Sequence, residues 1–163
     1  MRVLAIDPGY DRLGVAVMEL IAGKEKLLFS TCLETTRTDT LPDRLHTLGV
    51  SITKLLKDFK PDTVAIETLF FNKNIKTAIG VAQARGMLLY LAKDARCTVY
   101  EFGPQEIKVA VTGYGNATKD AVYSMVTRLV ADVPKNALDD EYDAIAVGIT
   151  CLAQYGRSDT ISH

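Results

Sequence analysis

Four carboxylates stand at positions where residue type and spacing could do chemistry: Asp7, Glu67, Asp140 and Asp143. Asp7 closes the apolar run Val3-Leu-Ala-Ile6, and Glu67 closes the run Thr63-Val-Ala-Ile66. If these runs are neighbouring strands, both carboxylates arrive at one sheet edge, where open α/β sheets place their ligands. Asp140 and Asp143 lie three apart at the start of a helical stretch and so can share a face. Each acid also has an ordinary job open to it, as a turn former after a strand or as an N-cap or dipole partner at a helix start. As a set they match a hard divalent cation, Mg²⁺ or Mn²⁺, which takes oxygen ligands. Two such ions roughly 3.5 to 4 Å apart can clamp a phosphodiester, one activating water and the other stabilising the leaving oxygen. Phosphate hydrolysis is the natural reaction of such a set.

Other chemistries have little material. Only His46 and His163 exist, too few for a Ser-His-Asp triad or a histidine-rich zinc site. Cys32, Cys97 and Cys151 are far apart and odd in number, which fits neither a disulfide framework nor a zinc knuckle and points to a reducing, cytoplasmic setting. Asp7 interrupts the N-terminal apolar run before a signal-peptide core could form, and no run of about 18 apolar residues occurs, so secretion and membrane spanning are not expected. The chain has 163 residues, 48% hydrophobic and 24% charged, the balance of one globular domain over 1–155 with a short tail over 156–163.

The elements that must position the carboxylates read in order along the chain. Val3–Ile6, Leu13–Glu19 and Leu27–Cys32 are three antiparallel strands, with Ala22-Gly23-Lys24 as the hairpin turn between the second and third. Leu41, Leu45, Leu48, Ile52, Leu55 and Phe59 recur every three or four residues, the apolar stripe of a helix that Lys60-Pro61-Asp62 ends. A fourth strand over Thr63–Ile66 leads to a long helix over Asn74–Ala95, then a fifth strand over Thr98–Phe102. Helical stretches follow near Gln105–Val111, Lys119–Val130 and Glu141–Gln154, with Gly113-Tyr-Gly115 as a turn between the first two. This βββαβαβ order followed by helices is an α/β fold, a five-stranded mixed sheet with helices on both faces. The long helix is apolar almost all round, which implies a second buried face.

Five blocks together resemble the RuvC-type Holliday-junction resolvases. They are Ile6-Asp-Pro-Gly9; Ala65-Ile-Glu67 with Phe70 and Lys73-Asn74; Gln83-Ala-Arg-Gly86; Lys108 with Gly113-Tyr-Gly115; and Asp140-Glu-Tyr-Asp143-Ala-Ile-Ala. The blocks fall in that family's order over about Met1 to Gln154. The resemblance implies a ribonuclease-H-like fold, a homodimer, and Mg²⁺-dependent symmetrical nicking of four-way DNA junctions in recombination and repair, with a branch-migration motor complex as a candidate partner. By position it makes Asp7, Glu67, Asp140 and Asp143 the metal ligands, although some members carry histidine where this chain has Asp140. It sets Lys108 and Lys119 near the scissile phosphate, where a cation stabilises developing charge. Phe70 matches the family's wedge aromatic, which would stack on an unpaired base at the crossover, while burial suits Phe71.

The charge distribution suits such a substrate better than its average does. A net charge of -1 argues at first against nucleic acid. Between Asn72 and Arg128, however, eight basic residues, among them Lys73, Lys76, Arg85, Lys108 and Lys119, face four acidic ones, while the remainder holds 11 basic and 16 acidic. The DNA-facing stretch is therefore basic, and part of the acidity belongs to the proposed metal site. Two equivalent cuts call for two active sites, which a C₂ dimer supplies, and the long helix is the expected interface; its small residues Gly80, Ala82, Ala84 and Gly86 suit close approach of a partner or, equally, packing on the sheet.

Three rivals remain. Asp7-x-Gly9-x-x-x-x-Gly14 also fits the phosphate hairpin of actin-like ATPases and sugar kinases, but those need a second domain for which the chain has no room. A ribonuclease H or YqgF-type protein would lack reason for Phe70, the Gln83 block and the Gly113 turn. A branched-DNA binding module without chemistry would have no need of four carboxylates.

Overall fold

The computed structural model describes residues 1–68 and 75–156, with the backbone alone for 75 and 76. Three strands open the chain, β1 (Arg2–Asp7), β2 (Arg12–Ile21) and β3 (Lys24–Glu34). They are followed by α1 (Leu41–Phe59), β4 (Thr63–Glu67), α2 (Ile75–Asp94), β5 (Thr98–Phe102), α3 (Pro104–Thr112), α4 (Lys119–Leu129) and α5 (Asp139–Tyr155). The five strands form one sheet in the order β3-β2-β1-β4-β5, antiparallel among the first three and parallel from β1 through β4 to β5. The five-stranded mixed sheet with helices on both faces, expected from the element order, is the one observed, and it has the ribonuclease-H-like form that the resemblance implies.

Strands β2 and β3 run longer than the apolar alternation alone suggests. Their outer ends are paired residue by residue up to Ile21 and Lys24, so backbone hydrogen bonding carries them past the hydrophobic stretch. The hairpin closes on two residues, Ala22 and Gly23, with φ of +49° and +77°. A two-residue turn with both φ positive has the twist that antiparallel neighbours need, and Lys24 already belongs to β3.

Strand alternation splits the interior into two cores. Val3, Ala5, Ala16 and Met18 face one side, beneath α3, α4 and α5. Leu4, Ile6, Val15 and Val17 face the other, beneath α1 and α2. Residues Ala144 to Leu152 of α5 are buried all round, because α5 lies across the sheet with α3 and α4 packed beside it. Each fully buried Leu, Ile or Val contributes about 1.5 to 3 kcal/mol, so the sheet edge carrying Asp7 and Glu67 rests on a rigid base.

Helix ends follow local chemistry. Thr40 caps α1 by accepting from the Asp43 N–H, and Lys60 ends it in the left-handed conformation at φ +47°. Thr118 caps α4 in the same way through the Ala121 N–H. Leu138 offers α5 no side-chain cap, and Asp139, Asp140 and Glu141 fill its first turn instead. Negative charge is favoured there by the helix dipole, which makes this end a tolerable place to gather carboxylates.

The small residues of α2 divide between two roles. Gly80 is buried with its Cα against the Tyr10 ring, where an added Cβ would stand 2.6 Å from Cε1, and Ala84 is fully buried. Both therefore serve packing within the chain. Ala82 and Gly86 face outward, on the same helix as the exposed Ile79 and Tyr90. Among the described residues no helix is long and apolar enough to cross a membrane. The tail expected over 156–163 lies outside the described residues from position 157 onward.

Candidate active site

Asp7 and Glu67 end adjacent parallel strands, one position beyond the Ile6–Ile66 pair, so the sheet itself sets them side by side. Asp143 comes to the same edge from the second turn of α5. These three carboxylates line one cavity of about 330 Å³ together with Lys108 of α3 and Lys119 at the start of α4, against an apolar wall that includes Ile107, Val122 and Ala146. Five of the six predicted catalytic side chains, drawn from five different elements, thus converge on one space.

The sixth does not. The Asp140 carboxylate forms an ion pair with Arg12 at 3.0 Å and lies 3.9 Å from the Cys32 thiol. It lines a separate cavity of about 480 Å³ beside Arg12 and Arg37. The helical spacing that let Asp140 and Asp143 share a face is overridden by Arg12, which draws Asp140 toward β2 while Asp143 turns to the sheet edge.

What holds α5 at this distance is Gly14. A Cβ on Gly14 would stand 1.8 Å from the Asp140 carbonyl oxygen, so only hydrogen allows the first turn of α5 to rest on β2. Replacing Gly14 by alanine is expected to lower stability by about 2 kcal/mol or more, since backbone must move to admit the methyl group. A denaturant midpoint equal to that of the unaltered protein would show the contact to be soft.

The electrostatics of the carboxylate cavity call for a cation. Asp7 has its pKa pushed up to about 8, first by burial and then by the neighbouring charges of Glu67, Asp143 and Asp140. Glu67 is raised to about 7 by burial and by Asp143, with Lys119 and Lys108 pulling the other way. Burial also raises Asp143, which Lys119 partly offsets. Burial works against the charge of Lys119 itself, but the Tyr123 hydroxyl and Asp143 hold its pKa above the ordinary lysine value. Its ammonium sits 3.2 Å from Asp143 and 3.4 Å from Asp139, a positive charge among acids that would otherwise repel one another.

Among the described residues no three acidic, histidine or cysteine groups close round a single point as a metal cage. The donor set nevertheless fits a hard divalent cation. Three carboxylates share a partly buried space, and burial with mutual repulsion raises the proton affinity of all three. A bound cation would relieve both costs.

The proposed DNA-contacting residues are placed unevenly. Lys108 and Lys119 line the cavity. Arg85 lies away from it, in an ion pair with Glu101 of β5 at 2.5 Å. Lys76 is in the first turn of α2, and its side chain is outside the description, as are Phe70, Phe71 and Lys73 entirely. Residue spacing alone did not single out Arg12, Arg37 or Tyr123. Arg12 begins a strand and Arg37 sits in a turn, so neither belongs to a periodic pattern, and their meeting with Asp140 is made only by the folded chain.

Comparison with known proteins agrees with this geometry. The family described as crossover junction endodeoxyribonuclease RuvC matches residues 3–151. Curated relatives of that description include one from Finegoldia magna, 43% identical with 91% of each chain covered. Another, from Thermotoga petrophila, is 35% identical with all of this chain and 98% of the relative covered. Among solved structures, Thermus thermophilus RuvC in complex with a Holliday junction substrate superposes with a TM-score of 0.89 at 32% identity, covering 98% of this chain and 97% of that one. The yeast mitochondrial Holliday junction resolvase, at 14% identity and a TM-score of 0.72, shares the fold. A sheet edge that gathers three carboxylates and two lysines, and a match running through nearly the whole chain, place this protein in the RuvC family of crossover junction endodeoxyribonucleases.

Proposed function

We propose that the protein resolves four-way DNA junctions by hydrolysing one phosphodiester in each of two strands of like polarity, with Mg²⁺ as the physiological cation and Mn²⁺ able to replace it. The observation that carries this reading is the cavity shared by Asp7, Glu67, Asp143, Lys108 and Lys119, in a chain whose near-complete structural relative was solved with a Holliday junction substrate. Asp7, Glu67 and Asp143 would hold the cation, and Asp140 would join them on exchanging Arg12 for it. A divalent ion there supplies Lewis acidity and lowers the pKa of bound water.

The chain's own groups do the rest. With Asp143 among the residues that would hold a cation, Lys119 would be free to face the phosphate together with Lys108 and to stabilise the negative charge that grows on its oxygens. The apolar wall of Ile107, Val122 and Ala146 lowers the dielectric on one side of the cavity, so those charges are screened less than on an open surface. In the net reaction a water oxygen bonds to phosphorus and the bridging P–O bond breaks; one water proton ends on the leaving oxygen as a hydroxyl, and the other passes through the new phosphate monoester to solvent. Lys73, Lys76 and Arg85 would follow the backbone, and Phe70 would stack on a base at the crossover.

Two cuts on one junction require two copies of the site, so the working form is a homodimer. The exposed Ile79 and Tyr90 of α2 and Val50 of α1 support an interface there. A groove of about 770 Å³ between these helices, lined by Val50, Met87, Tyr90 and Leu91, offers it an apolar surface.

The test is a cleavage assay on a mobile four-way junction with nick positions mapped on all four strands. Paired nicks at symmetrical positions are expected with Mg²⁺ or Mn²⁺ and none in chelator. Equal rates on linear duplex, or nicks without symmetry, would overturn the reading.

A further inference from the structure

Helix α5 offers Asp143 to the carboxylate cavity and Asp140 to the second cavity, so the two spaces are separated by little more than its first turn. The second is enclosed by the Gly9–Arg12 turn, Arg37 from the turn before α1, and the flank of α2. Two acids border it, and both are already neutralised. Asp140 is paired with Arg12. Asp11 is paired with Arg44, a buried arginine that also donates to the Tyr10 carbonyl and the Thr35 hydroxyl. Arg37 is exposed and makes no hydrogen bond or ion pair among the described residues. The cavity therefore carries one uncompensated guanidinium, with a second, Arg12, half-exposed at its edge.

Such a space takes an anion, and its setting selects which. A guanidinium matches phosphate oxygens with parallel N–H donors. A free nucleotide would also need a surface for its base. Among the described residues the one ring bordering the cavity, that of Tyr10, is occupied, lying against Gly80 and under the Arg44 guanidinium at 4.7 Å. A strand crossing the carboxylate cavity, by contrast, must lead its neighbouring phosphates over the first turn of α5.

We propose that the Arg37–Arg12 cavity holds a DNA backbone phosphate flanking the one that is cut, with Arg37 as its principal contact and Arg12 divided between that phosphate and Asp140. This rests on the nuclease reading above, and it adds a positioning contact outside the carboxylate cavity.

The experiment is equilibrium binding of a four-way junction over a series of salt concentrations, in the cleavage-silent Asp7→Asn background. Removing one phosphate contact lowers the slope of log K against log salt by about one. Arg37→Ala is expected to show that drop, with affinity at moderate salt reduced roughly three- to tenfold, and Arg37→Lys to restore most of both. Lys24→Ala, at the start of β3 on the opposite end of the sheet, is expected to change neither. Arg37 is exposed in a turn, so its replacement leaves the melting temperature unmoved. An unchanged slope in Arg37→Ala, or an equal drop in Lys24→Ala, overturns the proposal while the nuclease reading stands. Failure of the parent to bind junctions at all overturns both.

Discussion

Asp7→Asn is expected to bind a four-way junction as well as the unaltered protein does and to cleave it at least roughly 10³-fold more slowly. The size follows from the role: a metal-held phosphoryl centre supplies several kcal/mol of transition-state stabilisation, and each 1.4 kcal/mol or so is tenfold in rate. Binding should survive because Asp7 contributes negative charge to a surface that meets phosphates, and the amide is nearly the same shape. The same substitution carries a second expectation of opposite sign. Burial and three neighbouring carboxylates hold the Asp7 pKa at about 8, against 3.8 ordinarily, so its ionised form burdens the folded state. Metal-free Asp7→Asn should therefore melt at or above the temperature of the unaltered protein at pH 8. Undiminished cleavage would remove Asp7 from the chemistry, and a lowered melting temperature would show the carboxylate to be structural instead.

The pH dependence follows from the same cavity. With Asp7 near 8 and Glu67 near 7, the metal-free protein carries protons there at neutral pH that the unfolded chain has already lost. Stability from these groups is thus fully present below the unfolded carboxylate range and declines as pH rises toward 8. A cation must displace those protons, so its affinity rises over the same interval. At limiting Mg²⁺, cleavage below pH 7 should fall by one to two decades per pH unit as one or both sites protonate. Excess cation should move that limb to lower pH. Melting temperature should rise on adding Mg²⁺, by more at pH 8 than at pH 5.5. A rate that is flat from pH 5.5 to 8, or a limb that ignores cation concentration, would show that these carboxylates do not titrate against the metal.

Much of this site was legible in the order of residues, for local reasons. An apolar run stopped by a carboxylate appears twice, at Asp7 and Glu67, and the rule that parallel neighbours present their C-terminal ends together is enough to bring them to one edge. The helix over Leu41–Phe59 was legible in its 3.6-residue apolar period and in the Lys60-Pro61-Asp62 stop after it, signals within a few residues of one another. Lys108 and Lys119 were reached only through the family resemblance, because nothing in their neighbourhood marks them. Helix α2 was read as apolar all round and as the dimer interface, with its small residues open either to a partner or to packing on the sheet. Gly80 and Ala84 turn inward, the former against Tyr10, which no periodicity on α2 could announce.

Strand order, the two-sided core and the meeting of Asp7 with Glu67 are thus properties of the amino-acid sequence, since alternation and stop residues act within a strand or between neighbours. The division of the last two carboxylates belongs to the folded molecule alone. Asp140 and Asp143 are equivalent on a helix drawn by itself, but they differ once Gly14 lets α5 lie on β2, Arg12 claims Asp140 at 3.0 Å and Lys119 meets Asp143 at 3.2 Å. Those partners are more than 20 residues away in the chain. Charge pairing acts through space, and only packing decides which distant charges come within its reach.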